Sequence, residues 1–539
     1  NTEGRTSYYE HETGTDQNKN GTLNTTSHRI SEERKRARNV RTYSFRVLAD
    51  LLYRHPQFEF HMYSNDLVYI MEPLLLRLSN ECGASTPPVI LQVVASLSSS
   101  YHLLLTFLSV EESTSCLKFV WEILKAEVAS EQSRVMCLDI AENLVNHVEN
   151  DNVRKKNLAK QILVKHSKEL FESLQILVSH PNCSSKCMKS QLNLNLERTF
   201  LLISRLSHTL GGKNAVFATI ISLKRLARSP RLDEGMLSKL LSAFSTAFLD
   251  SSAIMNSKDV EKFWALITPF LCKVRNVKVR SELVHALSIL ANNLDSLWVS
   301  TKILQKLNST AKNSLDDINF EIRLESYEKL TTNWFCGNSE QNMKAIIFQT
   351  FYDLGSSDFA LCQAAQSTIQ NFIDALSMPL CKDTCTLIFA EIVLPGIKRS
   401  MNSTEKSKRA VAIYLVGYLA KTQPHYAPGL SILSKIDSET DFFINITHLQ
   451  SHRRSRALTQ LKVASTSLEC HLSTILDYYI PIVLTCLADP VSNVAATAVS
   501  VVRQISSKLP WPVFKDILRK ISRKIFSTSR QNGAYLHAF

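Results

Sequence analysis

The chain has 539 residues, of which 45% are hydrophobic and 21% are charged, and this balance excludes a wholly disordered protein. Only 13 glycines and 15 prolines occur, too few for the turns of a sheet-rich fold, so helices joined by short loops are predicted. The net charge is +13, and residues 441–539 carry 12 Lys or Arg against 5 Asp or Glu, a local excess of +7. This excess favours an acidic partner, either nucleic acid, an acidic protein or an anionic membrane, although a merely basic protein has the same balance.

Residues 1–40 are polar and rich in Thr, Asn, Glu and Arg, so they cannot bury enough apolar surface to offset the entropy lost on ordering. We therefore predict a disordered leader over this range. It contains "RKRAR", in which Arg34, Lys35, Arg36 and Arg38 form a cluster typical of a nuclear localisation signal. The alternative interpretation is the basic first turn of a helix that continues through "NVRTYSFRVLADLL".

The longest uncharged run, residues 82–110, has the hydrophobicity of a membrane span but not its continuity. Pro87-Pro88, Gln92 and His102 interrupt it, together with six serines. A membrane helix needs about 20 consecutive, mostly apolar residues. We therefore predict two packed helix segments here and no membrane partner.

A spacing of apolar residues recurs along the chain. In "VKVRSELVHALSIL", Arg280 is followed by leucines three, seven and ten positions later, which lie on one helical face. The same spacing starts at Arg134, Cys362, Arg409, Arg454 and Ala495, and in part at Arg323. From residue 280 to residue 495 these anchors are 39 to 47 residues apart, the period of two-helix HEAT or armadillo repeats. The sequence thus predicts an all-α, HEAT/armadillo-like α-solenoid over residues 41–525, followed by a frayed C-terminal tail at 526–539.

A proline lies in or near the apolar helix before three of these anchors, in "ITPFLCKV", "IVLPGIKRSM" and "YIPIVLTCLADP". Proline lacks an N–H donor and clashes with the carbonyl of the preceding turn. It is therefore predicted to bend or start each helix. In the third stretch, Asp489-Pro490 is predicted to end the first helix of a repeat, and Asn493-Val494 to open the second.

The arginines at three anchors, Arg280, Arg409 and Arg454, stand at the start of a second repeat helix. We interpret them as structural repeat anchors, and Arg454 is predicted to reach an acid in the neighbouring turn and so tie adjacent repeats together. Two other basic groups are predicted to face outward. They are Arg453 and Arg456 in "HRRSRAL", and Lys515, Arg519 and Arg523 in "FKDILRKISRKIF". Each group is either a solvated helix face or a contact for RNA phosphates or an acidic protein.

Few residues have the spacing of catalytic or metal sites. The metal-like patterns are His180, Cys183 and Cys187 in H-x2-C-x3-C, and Cys381 and Cys385 in C-x3-C. Zinc needs four ligands, and neither pattern has a fourth nearby. There is no Gly-rich phosphate loop, no G-x-S-x-G elbow and no H-E-x-x-H, and Asp316-Asp317 is interpreted as a helix cap. We predict no enzyme, no metal, no cofactor and no small-molecule substrate.

The segment "DFFINITHLQSHRRSRALTQL", residues 441–461, resembles the most recognisable segment of the DRIM ("down-regulated in metastasis") family. The matching residues are Asp441-Phe442-Phe443, Asn445-Ile446, His448, Gln450 and His452-Arg453-Arg454, followed by Arg456-Ala457-Leu458. These are giant HEAT-repeat proteins of the small-subunit processome. The resemblance implies a non-catalytic scaffold for ribosomal RNA processing in the nucleus and nucleolus, bound to pre-ribosomal or small nucleolar RNA and to other processome proteins. Since family members are several times longer and the chain begins with Asn1, we expect it to be part of a longer protein.

Two other functions stay open from the sequence. One is a karyopherin-like transport receptor, which is also a HEAT solenoid, but such receptors are usually acidic and this chain carries +13. The other is a regulatory HEAT region of a larger enzyme whose catalytic part lies outside this chain. RNA crosslinking distinguishes the scaffold from the receptor, and the full reading frame identifies the regulatory region.

Overall fold

The computed structural model describes residues 23–527, except residues 58–59, 81–87, 109, 111–112, 127–128, 150–152, 180–188, 230, 312–313, 427, 436, 466–471 and 508. The chain divides into two compact units, Asn1–Ile221 and Ser222–Phe539. Helices make up nearly all of the described secondary structure in both. The scarcity of glycine and proline accounts for this, because these are the residues that interrupt helices most strongly.

The first unit consists of paired helices in its described part. The helices are α1 (Leu23–Arg54), α2 (Ser64–Asn80), α3 (Val89–Ser99), α4 (Tyr101–Leu108), α5 (Ser113–Lys125), α6 (Glu131–Val148), α7 (Val153–Lys165), α8 (Ser167–Ser179), α9 (Lys189–Leu210) and α10 (Gly212–Ala227), which crosses the boundary, with a 3-10 turn at Phe60–Met62. Helix α3 packs on α1 and α2, helix α6 packs on α5, and helix α9 packs on α8. Helix α6 also packs on both α3 and α9, so these three helices form one row. Helices α2, α5 and α8 form a second row. Two rows of paired helices are typical of HEAT-like repeats, in which each pair buries its apolar faces against its neighbours.

The second unit continues with helices α11 to α27 and one small hairpin. The helices are α11 (Glu234–Ser251), α12 (Ser257–Ile267), α13 (Val277–Ala291), α14 (Trp298–Leu307), α15 (Phe320–Glu328), α16 (Thr332–Cys336), α17 (Glu340–Asp353), α18 (Phe359–Ala375), α19 (Lys382–Ile388), α20 (Leu394–Met401), α21 (Lys406–Thr422), α22 (Phe442–Asn445), α23 (Ser451–Ala464), α24 (Leu472–Thr474), α25 (Ile480–Cys486), α26 (Ser492–Ser506) and α27 (Trp511–Ser527). Short 3-10 turns lie at Ser252–Ile254, Thr268–Cys272, Asp295–Leu297 and Pro424–Tyr426, and π turns at Phe389–Val393 and Ile475–Tyr479. The strands β1 (Thr310–Ala311) and β2 (Ser314–Ile318) pair antiparallel.

The helices of the second unit also stack in a repeating order. Helix α18 packs on both α15 and α21, and α23 packs on α26, so the second helices of successive repeats are neighbours. Each also packs on its own first helix, as α18 does on α17, α21 on α20 and α26 on α25. Each helix therefore buries apolar side chains towards its partner and towards the next repeat.

The apolar template marks the buried faces of these helices. In α13 the leucines three, seven and ten positions after Arg280 are all fully buried. The template fails where a helix ends early: α15 stops at Glu328, so the exposed Asn333 belongs to α16. At the last template position of α23, Ala464 is only half-buried. The predicted all-α, HEAT-like solenoid fold is confirmed.

Helix α1 begins before the boundary that was predicted near residue 40. It is helical from Leu23, although residues 31–41 are all exposed. The polar composition therefore prevents burial of this part but not its helicity, because propagation from a packed helix costs less than nucleation. The packed part is the face of Phe45 and Leu52. Residues 1–22 and 528–539 lie outside the described residues, so a leader and a tail there stay predictions.

The hairpin was not predicted, and it changes the interpretation of the paired acids. Asp316 and Asp317 lie in β2, so the prediction that they cap the following helix is wrong. The cap of α15 is Asn319, whose side-chain oxygen accepts a hydrogen bond from the Ile322 N–H at 3.3 Å. Asparagine is among the strongest N-cap residues because its short side chain reaches the free N–H groups of the first turn.

Prolines disturb the first helices of three repeats, as predicted. Pro269 lies in the 3-10 turn at Thr268–Cys272. Pro395 and Pro481 are the second residues of α20 and α25, each directly after a π turn. The missing proline N–H leaves a carbonyl of the preceding turn without its usual donor. At Pro395 and Pro481 the preceding π turn, which is wider than an α-helical turn, accommodates the change.

Helices α3 and α4 cover the long uncharged run. They bend by 110° at their junction, so the prediction of two helix segments is confirmed. No single described helix has the length and apolar composition of a membrane span. Among the described helices, only α3 and α4 taken together have that length and composition, and they are bent.

Candidate nucleic-acid interface

The two phenylalanines of the segment 441–461 are core residues. Phe442 and Phe443 are 0% and 1% exposed. Phe443 packs on Gly417 of α21, where a Cβ atom would lie 2.6 Å from the Phe443 Cβ. Glycine permits this approach because it has no Cβ. The two rings therefore fix α22 against α21.

Two polar residues of the same segment, Asp441 and Asn445, are also turned inward. Asp441 is 0% exposed; it accepts from the Ile444 N–H at 3.0 Å and pairs with Lys421 Nζ at 3.1 Å. Asn445 Nδ2 donates to the carbonyls of Glu439 and Asp441, both at 2.8 Å. Each interaction closes a turn or caps a short helix, so these residues stabilise the fold.

Arg454 is held by the protein itself. Its Nη1 donates to the carbonyls of His448 and Leu449 at 2.8 and 2.7 Å. Its Nε and Nη2 donate to the two carboxylate oxygens of Asp489 at 2.9 and 3.1 Å. Asp489 lies in the turn between α25 and α26, so this partly buried, bidentate pair links two consecutive repeats.

The three anchor arginines share one position and one contact. Arg280, Arg409 and Arg454 are each the fourth residue of a helix, α13, α21 and α23. Each guanidinium donates at 2.8 Å to the carbonyl six residues earlier. That carbonyl lies in the turn before the helix, where no helical N–H is available to it. The recurring arginine therefore closes the turn between the two helices of a repeat.

Arg280 has the most buried environment of the three, at 4% exposed. It also donates to the Leu271 carbonyl at 2.8 Å, to Asn308 Oδ1 at 2.9 Å and to Gln349 Oε1 at 2.5 Å. Gln349 in turn donates to Asp353 at 2.8 Å. Burial lowers the pKa of Arg280 and raises the pKa of Asp353. Within the described ranges no acid lies at ion-pair distance from Arg280, so backbone carbonyls and side-chain amides accept its hydrogen bonds.

Arg453 and Arg456 point away from the core on α23. Arg456 is exposed and forms no hydrogen bond or ion pair with any residue that the structure describes. Arg453 Nη2 lies 3.8 Å from Glu439 Oε1, and that glutamate side chain is 71% exposed. An exposed ion pair of this kind contributes little stability. Both cations are therefore available to a phosphate at low energetic cost.

Helix α27 carries the second outward group. Lys515 and Arg519 are exposed, whereas Ile517 and Ile521 of the same helix are each 1% exposed. Arg519 pairs with Asp516 at 3.1 Å, and both side chains are more than half exposed. Arg523 lies in the same helix, but its side chain is outside the described residues. The helix thus separates a buried apolar face from a basic one.

The basic cluster Arg34, Lys35, Arg36 and Arg38 lies well inside α1, not in its first turn. All four side chains are exposed, and only Arg36 has a described ion pair, with Glu32 at 3.8 Å. The interpretation as a helix start is therefore wrong, because the helix begins earlier. The cluster is a solvated helical surface that a receptor can reach.

The candidate metal patterns give no site in the described part of the chain. His180, Cys183 and Cys187 lie outside it. Cys381 and Cys385 are buried free thiols. Within the described ranges, no group of three or more His, Cys, Asp or Glu is arranged to hold a metal ion.

The acid that the sequence predicted for Arg454 is Asp489, whereas the partners of Arg280 were missed. Asp489 was interpreted only as a helix end, yet it stands 35 residues after Arg454 and binds it. Asn308 and Gln349, which are 28 and 69 residues after Arg280, gave no signal at all. For Arg454 the sequence did contain a usable signal, because Asp489 is the acid in the turn between the two helices of the following repeat.

Residues 7–405 match the family described as "U3 small nucleolar RNA-associated protein 20, N-terminal". The chain belongs to this family. The resemblance found in the segment 441–461 is thereby confirmed, although that segment lies beyond the matched range. The protein named U3 small nucleolar RNA-associated protein 20 from Schizosaccharomyces pombe is 26% identical over 293 residues, 53% of this chain and 12% of that protein. Its namesake from Saccharomyces cerevisiae is 20% identical over 366 residues, 65% of this chain and 14% of that protein.

This member of the family therefore spans 12% and 14% of the length of these two relatives. Solved structures with some likeness include yeast importin-beta, at 11% identity, covering 92% of this chain and 67% of importin-beta, with a TM-score of 0.25. The karyopherin Kap121p bound to the SUMO protease Ulp1p gives 14% identity, covers 92% of this chain and 52% of that one, and also has a TM-score of 0.25. Scores this low assign neither fold nor function, and the fold rests on the helix pairs.

Proposed function

We propose that this chain is a non-catalytic part of a ribosome-biogenesis scaffold of the small-subunit processome, and that it holds RNA and other processome proteins on exposed helix faces. The observation that carries the proposal is the family match over residues 7–405. Two relatives bear a name that states association with U3 small nucleolar RNA. Since the chain spans a small part of those relatives, the RNA and protein contacts of the whole protein belong to the proposal.

The physical support is the distribution of positive charge. Proteins hold RNA without sequence preference chiefly by placing Lys and Arg against phosphates. In the second unit, Arg456 and Lys515 are exposed cations without a described ion pair. Arg519 has an exposed pair with Asp516, and Arg453, whose side chain is 31% exposed, has a long pair with the exposed Glu439. The anchor Arg454 is excluded from this set because its donors are already occupied.

We expect replacement of Arg453 and Arg456 by alanine to weaken binding to single-stranded RNA about equally for all sequences. The plot of log affinity against log salt concentration should lose about one to two units of slope, because up to two phosphate contacts disappear. Replacing Lys515, Arg519 and Arg523 should add to the loss. Arg456 should contribute more than Arg453, since it has no acid to leave. Fluorescence anisotropy over a salt series measures both quantities.

The matched control is replacement of Lys258 and Lys302, which are exposed lysines on α12 and α14. It removes the same charge at positions outside the proposed interface. If the control and the interface variants lose the same slope, the chain binds RNA only through its overall charge. If all five interface substitutions leave affinity and slope unchanged, these helices do not contact RNA.

Nucleolar localisation is part of the proposal, and the cluster on α1 is its candidate signal. A fluorescent fusion of the chain should lose nuclear accumulation when Arg34, Lys35, Arg36 and Arg38 become alanine. Replacement of Arg41 and Arg46, which are exposed on the same helix, should leave accumulation intact. Unchanged accumulation in the fourfold variant shows that the cluster is not the localisation signal.

A further inference from the structure

A pocket of about 230 Å³ opens between α17, α20 and the start of α21 in the second unit. Its apolar wall consists of Phe351 and Ile392, which are 7% and 8% exposed, and of the half-buried Phe348. Ser400 and Ser403 add two hydroxyl groups. A cavity that combines an apolar wall with hydroxyl and cationic groups can accept an apolar side chain that has polar neighbours.

The shape of this pocket depends on the close contact between Phe351 and Gly396. A Cβ atom at position 396 would lie 2.4 Å from Cζ of the ring, so the ring edge is pressed against α20. Phe351 is also only 7% exposed, so little of its ring is open to a stacking base. Single-stranded RNA binds such sites by stacking its bases on exposed aromatic faces. A protein side chain fits this pocket better than a nucleobase does.

Two cations stand at the rim of the pocket. Arg399 of α20 is exposed, and Lys408 of α21 is half-buried. Neither forms an ion pair within the described ranges, and the described hydrogen bond of the Arg399 side chain goes to the Pro395 carbonyl of its own helix, at 3.3 Å. Uncompensated cations beside an apolar cavity favour a ligand that carries carboxylates next to an apolar group.

A second cavity of about 280 Å³ adjoins the first and shares Cys272 and Lys408 with it. Arg275 lines this cavity, and its side chain is 79% exposed. Its Nη2 lies 3.2 Å from Glu405 Oε1. Because so exposed a pair is weak, an incoming carboxylate competes easily with Glu405. Arg323 and Asp353, which are both buried, and the half-buried Glu405 also line this cavity. The cations that an incoming carboxylate can reach are therefore Arg275, Arg399 and Lys408, and Glu405 is the one acid that competes with it among the described lining residues.

We propose that these cavities form a docking site for a protein partner, and that the bound segment is an acidic peptide with one large apolar side chain. The apolar side chain occupies the space beside Phe348 and Ile392. Carboxylates on either side of it pair with Arg399, Lys408 and Arg275. The site uses none of the cations assigned to RNA, so it is independent of the RNA contact proposed above.

The test uses the full chain and a panel of fluorescein-labelled heptapeptides. One set has a central Phe, Leu or Ala between acidic residues, and another has a central Phe between lysines. The Phe- and Leu-centred acidic peptides should bind about tenfold more tightly than the Ala-centred one, because the larger side chain buries more apolar surface. The lysine-flanked peptide should not bind. Oligouridylate of the same charge as the acidic peptide serves as the RNA competitor.

The location is tested with the double variant Arg399→Glu and Lys408→Glu. It should reduce the affinity for the Phe-centred acidic peptide at least about tenfold, since two attractions become repulsions. The control is Lys406→Glu, an exposed lysine of α21 that lines neither cavity and should change affinity less than about twofold. The proposal is overturned if the central Phe gives no advantage over Ala, if the double variant binds normally, or if oligouridylate displaces the peptide as well as unlabelled peptide does.

Discussion

Replacement of Arg280 by alanine is expected to lower the free energy of unfolding of the second unit by about 3–4 kcal/mol. The guanidinium donates to two backbone carbonyls, to Asn308 and to Gln349, and it lies over the Tyr352 ring at 3.6 Å. Its removal leaves buried acceptors without a donor, and each such group costs about 1–3 kcal/mol. The midpoint of urea unfolding, followed by circular dichroism, measures the loss.

Two further substitutions define the cause of this loss. Arg280→Lys should recover little, because an ammonium group cannot reproduce the planar fork of donors. Lys278→Ala, an exposed position two residues earlier on α13, should barely change the midpoint. A small effect of Arg280→Ala, equal to that of Lys278→Ala, contradicts the structural role of the anchor.

Replacement of Arg454 by alanine is expected to cost about 1–3 kcal/mol, less than at Arg280 because the side chain is 14% exposed. The same loss should follow from Asp489→Ala, and the double variant should lose much less than the sum. A double-mutant cycle on thermal or urea unfolding therefore yields a coupling energy of about 0.5–3 kcal/mol. Arg456→Ala on the same helix is the stability control.

RNA affinity distinguishes this interpretation from a direct contact at Arg454. Measured at a temperature where the variant is folded, the Arg454→Ala protein should bind RNA like the unmodified chain. A variant that melts normally but loses RNA affinity identifies Arg454 as an RNA contact. In that case the segment 441–461 binds RNA through Arg454 as well as stabilising the fold.

The repeat architecture was predictable because it depends on local periodicity. A buried residue every third or fourth position is visible within one helix, as in α13, and the anchor recurs at a fixed period. The position of Arg280, Arg409 and Arg454 at the fourth residue of a helix follows from the same pattern. The start of α1 was not predictable from composition, because a polar segment extends a helix whose face packs further along.

Contacts between distant residues escaped the sequence for a different reason. Gln349 follows Arg280 by 69 residues. The sequence between them contains many other polar residues, and nothing in the sequence distinguishes Gln349 from these as the partner of Arg280. The cavity at Phe348 and Ile392 likewise combines side chains from three helices, and it depends on the missing Cβ of Gly396. Only the packed structure brings such residues together.

The role of the segment 441–461 illustrates the difference between a recognisable pattern and a binding site. Its basic cluster suggested an RNA contact as one alternative. In the structure Arg454 is occupied by the protein, and Phe442 and Phe443 are buried, so these residues explain stability. The cations of that segment that stay available to an acidic partner are the half-buried Arg453 and the exposed Arg456.

Ultraviolet crosslinking in cells, on the full-length parent protein, tests the scaffold account most directly. Crosslinked peptides are mapped by mass spectrometry, and the attached RNA is sequenced. The account predicts crosslinks in α23 and α27 that carry small nucleolar or pre-ribosomal RNA, and a loss of these crosslinks when Arg453, Arg456, Lys515, Arg519 and Arg523 are replaced. Recovery of the parent protein without RNA on any peptide of this chain, or with crosslinks unaffected by the five substitutions, contradicts it.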